Sequence, residues 1–231
     1  MKDRRAESIE KIGKVISSRI GRGALLGLGS GSTTAALIPI IAAELRGRKV
    51  RPRWVPTSLQ IQLVAQGLDQ EIAAIDRPAV DLVVDGADQI DADLNLIKGG
   101  GGALFREKVM IGCARRTLIV ADERKLSERL CIGGVRIPVE AHPFARVPVA
   151  EKLRLLGGEP KIRLGERGFP FYTENGNILF DVGFEPIENP PVLERELKSI
   201  AGVVESGVFT PSPVEVFVIQ PDGGYRVLSK N

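Results

Sequence analysis

Ala24-Leu-Leu-Gly-Leu-Gly-Ser-Gly-Ser-Thr33 is the stretch that decides the fold. Ala24–Leu28 is a short apolar run suited to a strand. Gly29–Ser32 is a turn, and Thr33–Leu45 reads as a helix, with Ser32 or Thr33 as N-cap and a kink expected at Pro39. A strand that enters a helix through a glycine turn opens a βαβ unit. The same alternation continues outward. Trp54–Pro56 ends a second strand and Ser58–Gln66 has helical spacing. Val80–Val84 is continuously apolar, as in a strand buried on both faces. Ala103–Arg115 is helical and Thr117–Ala121 is another buried strand. Strands alternating with helices predict an α/β fold with a doubly wound, mostly parallel sheet.

After Cys131 the pattern changes. Arg136–Val139, Glu159–Arg163, Ile178–Val182 and Val203–Phe209 read as strands, and Val147–Leu156 and Pro191–Ser199 as helices. Asn175-Gly176 is a turn signal before the third of these strands. The order β-α-β-β-α-β predicts a smaller, ferredoxin-like α+β domain. Val214–Ile219 and Tyr225–Leu228 form a hairpin around Asp222-Gly-Gly224 that returns to the first domain. The expected division is therefore residues 1–130 with 208–231, Rossmann-like, and 131–207, ferredoxin-like.

Composition removes several function classes. The 32 basic and 29 acidic residues leave a net charge of +3, too small to call for nucleic acid or an anionic membrane. Cys113 and Cys131 form no C-x-x-C pair and read as reduced thiols. Met1–Lys14 is charged and lacks the apolar core of a signal peptide. No apolar run reaches the roughly 20 residues of a membrane helix. These features predict a cytosolic, cytoplasmic protein. A single histidine, His142, rules out a multi-histidine metal site and H-E-x-x-H. It stands before Pro143 in a turn-like segment, without a G-x-S-x-G elbow, and reads as structural.

Four features carry chemistry. Gly27-Leu-Gly-Ser-Gly-Ser-Thr33 offers backbone N–H groups and hydroxyls to an anion at a helix N-terminus. It is a poor dinucleotide loop, because position 32 is Ser and no acid closes the next strand. Without a Lys before the Ser/Thr, it is no Walker loop. Val84-Asp-Gly-Ala-Asp88 places Asp85 and Asp88 past the end of a buried strand, where α/β sheets bind ligands. An Asx turn or a cation site, with Asp91 and Asp93 close by, are the other readings. Ile97-Lys-Gly-Gly-Gly-Gly-Ala-Leu-Phe-Arg-Glu-Lys108 sets four glycines before a helix, a costly choice unless backbone wraps a ligand. Taken alone, Arg106-Glu-Lys108 reads as a solvated helix face. Val120-Ala-Asp-Glu-Arg-Lys125 follows another strand and aims Lys125 at the same predicted edge. Together these suit a small phosphorylated polyol better than a nucleotide.

In order and spacing, the four segments resemble those of the A-type ribose-5-phosphate isomerases. Pro56-Thr-Ser58, Pro138-Val-Glu140, Gly157-Gly158, Asn175-Gly-Asn177 and Gly202-Val-Val204 extend the likeness along nearly the whole chain. The string K-G-G-G-G-A-L-x-R-E-K is the most specific part. The resemblance implies interconversion of D-ribose 5-phosphate and D-ribulose 5-phosphate through an enediolate, in the non-oxidative pentose phosphate pathway. It implies that Ser30, Gly31, Ser32 and Thr33 line the substrate site. Asp85, Gly86, Ala87 and Asp88 would contact sugar hydroxyls, Lys98 and Gly99, Gly100 and Gly101 would form a third wall, and Lys125 would add a contact. Glu107 would be the proton acceptor, with Lys98, Asp85 and Asp88 assisting. No metal or organic cofactor would be required, and the assembly would be a homodimer or homotetramer. Ser30 stands where many members have Thr, and Thr210-Pro-Ser-Pro213 departs from the family's Asn/Arg-rich segment. An aminosugar-phosphate deaminase, a sugar-phosphate sensor and an NAD-dependent enzyme are the rival readings. The string at Lys98–Lys108, the short stretch before Gly23 and the missing ribose-binding acid argue against them in turn.

Overall fold

The computed structural model describes residues 4–230; residues 1–3 and Asn231, the ends of the expected first domain, lie outside them. The chain divides into two compact units. The first holds residues 4–86, Val109–Arg124 and 211–230; the second holds Ala87–Lys108 and Lys125–Thr210. Residues 87–108, 125–130 and 208–210, assigned by sequence to the first domain, thus pack within the second, and the chain re-enters the first unit part-way along a helix.

The first unit contains α1 (Arg4–Ser18), β1 (Leu25–Leu28), α2 (Ser32–Gly47), β2 (Arg53–Pro56), α3 (Leu59–Gln66) and β3 (Leu82–Asp85). Among the described residues its sheet has six strands. Beyond these lie β4 (Gln89–Ile90), β5 (Leu96–Ile97), α4 (Leu104–Gly112) and β6 (Thr117–Asp122), then β7 (Ile137–Ala141), α5 (Arg146–Leu155) and β8 (Glu159–Ile162). The chain ends with β9 (Ile178–Gly183), α6 (Pro190–Ser199), β10 (Val203–Ser206), β11 (Val208–Phe209), β12 (Val214–Ile219) and β13 (Tyr225–Lys230). The large sheet runs β13-β12-β6-β3-β1-β2, parallel except for the β12–β13 hairpin.

Alternation along the strands builds two apolar faces. Leu26, Leu28, Val84, Leu118, Val120 and Phe217 join Ile9, Ile12 and Ile16 of α1 and Leu37, Ile38 and Ile41 of α2. Leu25, Val55, Val80 and Val83 join Met110 on the other face. Each fully buried Leu or Ile contributes about 1.5–3 kcal/mol. Gly27 is required by this packing, since a Cβ there would lie 2.6 Å from the Met110 sulfur. The N-cap of α2 is Gly31, with φ +110° and no side-chain cap, rather than Ser32 or Thr33. Pro39, where a kink is expected, lies inside this helix; it has no N–H to donate and its ring crowds the preceding turn.

In the second unit β7-α5-β8-β9-α6-β10 form an antiparallel sheet in the order β10-β7-β9-β8. That is the ferredoxin-like arrangement. Ile137, Val139, Ala141, Phe180 and Val182 pack on Val149 and Leu153 of α5 and Leu193 and Leu197 of α6. The strand expected over Val203–Phe209 is broken at Gly207. A Cβ at Gly207 would overlap the Lys98 carbonyl oxygen, and β11 leaves to pair with β5 in a small sheet β11-β5-β4. Strands of two residues leave too short a pattern for sequence to show.

Candidate functional site

In the first unit, β1 and β3 are neighbours, and the chain leaves them to opposite sides of the sheet. This is a topological switch point, where α/β sheets bind ligands past the strand ends. Gly29 donates to the Val84 carbonyl at 2.9 Å. A Cβ at Gly29 would overlap the Asp85 carboxylate, so glycine is what lets that buried acid lie against the turn. Asp85 also accepts from the Gly86 N–H at 2.7 Å. Ser30 shares a 2.9 Å hydrogen bond with Thr57, whose hydroxyl donates to the Leu28 carbonyl at 3.0 Å. Gly31, Ser32 and Thr33 then open α2. Arg5, which sequence did not single out, donates to the Thr33 hydroxyl at 3.1 Å and pairs with Asp122 at 3.0 Å. Its place on α1 gave no local signal, because both partners are distant in sequence.

In the second unit, Lys98 follows β5 and Glu107 stands in the first turn of α4. Their side chains are 3% and 4% exposed, with Nζ 3.2 Å from Oε2. The Lys98 ammonium also lies 5.6 Å from the centre of the Phe209 ring, a favourable placement for a desolvated cation. Between them the glycines bend the chain: Gly99 and Gly102 have φ of +102° and +83°. Gly100 donates its N–H to Asp88 at 2.8 Å, and a Cβ there would meet that carboxylate at 3.0 Å. Gly101 is exposed beside it. Ala87 precedes Asp88 on the segment entering β4, and Lys125 is half-exposed in the turn after β6.

Arg106 and Lys108 are not a solvated face. Arg106 pairs with Glu174 at 2.6 Å and donates to Asn175 at 3.1 Å. Lys108 pairs with Glu194 at 2.7 Å, donates to the Val208 carbonyl and lies 4.4 Å from the Phe209 ring centre. Both flank Glu107: Arg106 ties α4 to the turn before β9, and Lys108 ties it to α6 and β11. Asp91 forms an Asx-type turn, accepting from the N–H groups of Asp93 at 3.0 Å and Asn95 at 2.8 Å. Among the described residues no group of three or more His, Cys, Asp or Glu is placed to hold a metal ion. His142 accepts from the Phe144 N–H at 3.2 Å and caps a short turn. No helix among the described residues is long and apolar enough to cross a membrane.

Cys131 is buried, and burial pushes its thiol up to about 11, whereas Cys113 is partly exposed. The thiolate is the nucleophile, so iodoacetamide near neutral pH should modify Cys113 well before Cys131. Equal rates by mass mapping would contradict the buried placement of Cys131.

Comparison with known proteins shows which family the chain is similar to. The family model for ribose 5-phosphate isomerase A (phosphoriboisomerase A) covers residues 53–223. The ribose-5-phosphate isomerase A of Methanosarcina acetivorans is 39% identical over 99% of this chain and 94% of its own. That of Thermosynechococcus vestitus is 40% identical over 86% of this chain and 85% of its own. The solved structure of the Methanocaldococcus jannaschii ribose 5-phosphate isomerase A is 36% identical, covers 96% of this chain and 98% of its own, and has a TM-score of 0.89. A ribose-5-phosphate isomerase structure in complex with phospho-erythronic acid matches equally well, with a TM-score of 0.89 and 36% identity over 96% of this chain and 98% of its own. The chain belongs to the ribose 5-phosphate isomerase A family.

Proposed function

We propose that this chain interconverts D-ribose 5-phosphate and D-ribulose 5-phosphate, with Glu107 carrying the proton between C2 and C1. The observation that carries the assignment is the buried Lys98–Glu107 pair at 3.2 Å, behind a glycine wrap. Abstraction of the C2 proton by the Glu107 carboxylate leaves an enediolate, and delivery of a proton from the same carboxyl group, part of it exchanged with solvent, to C1 gives the ketose. The Lys98 ammonium faces the negative charge that develops on oxygen. One carboxylate and one fixed cation therefore suffice for the proton transfer. Asp85 and Asp88 hold sugar hydroxyls and move their protons during ring opening. Ser30, Gly31, Ser32 and Thr33 supply hydroxyl and N–H donors to an anionic group, and Gly86, Ala87, Gly99, Gly100, Gly101 and Lys125 complete the contacts with substrate. A cytosolic location and a homodimeric or homotetrameric assembly belong to the same proposal.

The direct test is conversion of ribose 5-phosphate in EDTA by the purified protein. Formation of ribulose 5-phosphate supports the reading; binding without conversion would move it to a sensor. Gly29→Ala tests the fixed position of Asp85. The new methyl group would overlap the buried Asp85 carboxylate, which must shift to admit it. Displacement of a reacting group by about 1 Å can cost about 10²-fold, so kcat/KM should fall by at least that much. An overpacking cost of about 1–3 kcal/mol should accompany it. Unchanged kcat/KM and Tm would sink the placement of Asp85 against the turn.

A further inference from the structure

Arg163 lies just past β8, outside every motif that the sequence offers, yet its guanidinium reaches the glycine wrap. Its Nη1 donates to the carbonyl oxygens of Gly99 at 3.1 Å and Gly100 at 2.9 Å. Its Nε donates to Asp181 at 2.9 Å, and its Nη2 donates to the other oxygen of the same carboxylate. The side chain is 15% exposed and lies over Phe171 at 5.9 Å. The Phe171 ring in turn fills the space beside Gly102, where a Cβ would come within 2.7 Å of it.

The Gly99 carbonyl and the Gly100 N–H are opposite ends of one planar peptide. On one side that peptide accepts from a cation; on the other it donates to the Asp88 carboxylate at 2.8 Å. Without side chains or a fixed φ, glycines would leave the peptide free to rotate. A charged donor on the oxygen holds the plane and polarises the N–H towards the carboxylate. Asp181 in turn holds the guanidinium in one orientation through a two-pronged contact. We propose that Arg163 is a positioning residue that sets the Asp88 carboxylate through the Gly99–Gly100 peptide.

Arg163 touches no substrate in this scheme, and its effect passes through Asp88. The inference rests on the reading that Asp88 acts on substrate. The alternative, that Arg163 merely braces the sheet, predicts a loss independent of Asp88. A double-mutant cycle separates the two, because residues acting through one another couple and independent ones add. Steady-state kinetics and Tm would be measured for wild type, Arg163→Lys, Asp88→Asn and the double variant. Lysine keeps the charge but cannot grip two carbonyls and a carboxylate together. Arg163→Lys should lower kcat about 10-fold in the wild-type background and less than about 2-fold beside Asp88→Asn. Equal losses in both backgrounds, or no loss in kcat, would overturn the relay. If Arg163→Lys does not fold, Asp181→Asn releases the guanidinium from the other side, and the same coupling is expected with the same contrary result. Full activity in Asp88→Asn alone would instead sink the role given to Asp88, a distinct outcome.

Discussion

Glu107→Gln should lower kcat by about 10³–10⁴-fold with little change in KM, because it removes the base and keeps the side chain's size. A loss confined to kcat marks an interaction needed in the transition state rather than for binding. The amide oxygen can still accept from Lys98, so the variant should stay folded, although the ion pair is gone. Comparison of Tm and far-UV CD with wild type checks that the loss is chemical. Retention of more than about a tenth of wild-type kcat would assign the proton transfer to another group.

Lys98→Met should harm both rate and stability. The ammonium is nearly fully buried beside Glu107 and over Phe209. Removing it strands the Glu107 carboxylate, and breaking a buried pair from one side costs about 3–5 kcal/mol. For a chain of this length that corresponds to a Tm lower by about 6–20 °C. The rate should fall by about 10²–10³-fold, as when a donor to a developing oxyanion is lost. Methionine retains the apolar stem, so lost packing accounts for little of either effect. A variant with wild-type Tm and an undiminished rate would show that the pair matters neither to folding nor to the enediolate.

The architecture was legible where pattern and punctuation agree. The apolar run Val80–Val84 and the Gly29–Ser32 turn each have a local physical cause, and β3 and the start of α2 follow them closely. The ferredoxin-like unit was legible for the same reason, in the order of its elements along the chain. Elements set by tertiary contact were not. The apolar spacing of Ile9, Ile12 and Ile16 is helical, but charged neighbours masked α1 until the sheet supplied a face to bury it. The break at Gly207 depends on the Lys98 backbone, more than a hundred residues earlier. Even the N-terminus of α2 turned on a backbone angle at Gly31 rather than on a capping hydroxyl.

The candidate site divides along the same line. Lys98 and Glu107 belong to one string, and a glycine loop followed by most of one helical turn brings them together. Asp88 and Gly100 meet across the short β4–β5 excursion, which joins two neighbouring motifs. Arg163, Arg5 and Phe209 reach the motif residues from far along the chain. A lone Arg after a strand, or one aromatic residue near the end of a domain, carries no signal of what it will touch. Arg106 and Lys108 show the converse: charges that read as a solvated face are tied down by Glu174 and Glu194.

The central claim is that the Glu107 carboxylate itself carries the proton between the two carbons. The measurement that tests it most directly is isomerisation in D₂O, with deuterium at C1 and C2 followed by NMR in wild type and Glu107→Gln. The account predicts that wild type incorporates solvent deuterium as it converts substrate, and that exchange and isomerisation collapse together in the variant. Exchange that continues in Glu107→Gln while isomerisation stops would place the base elsewhere and contradict it.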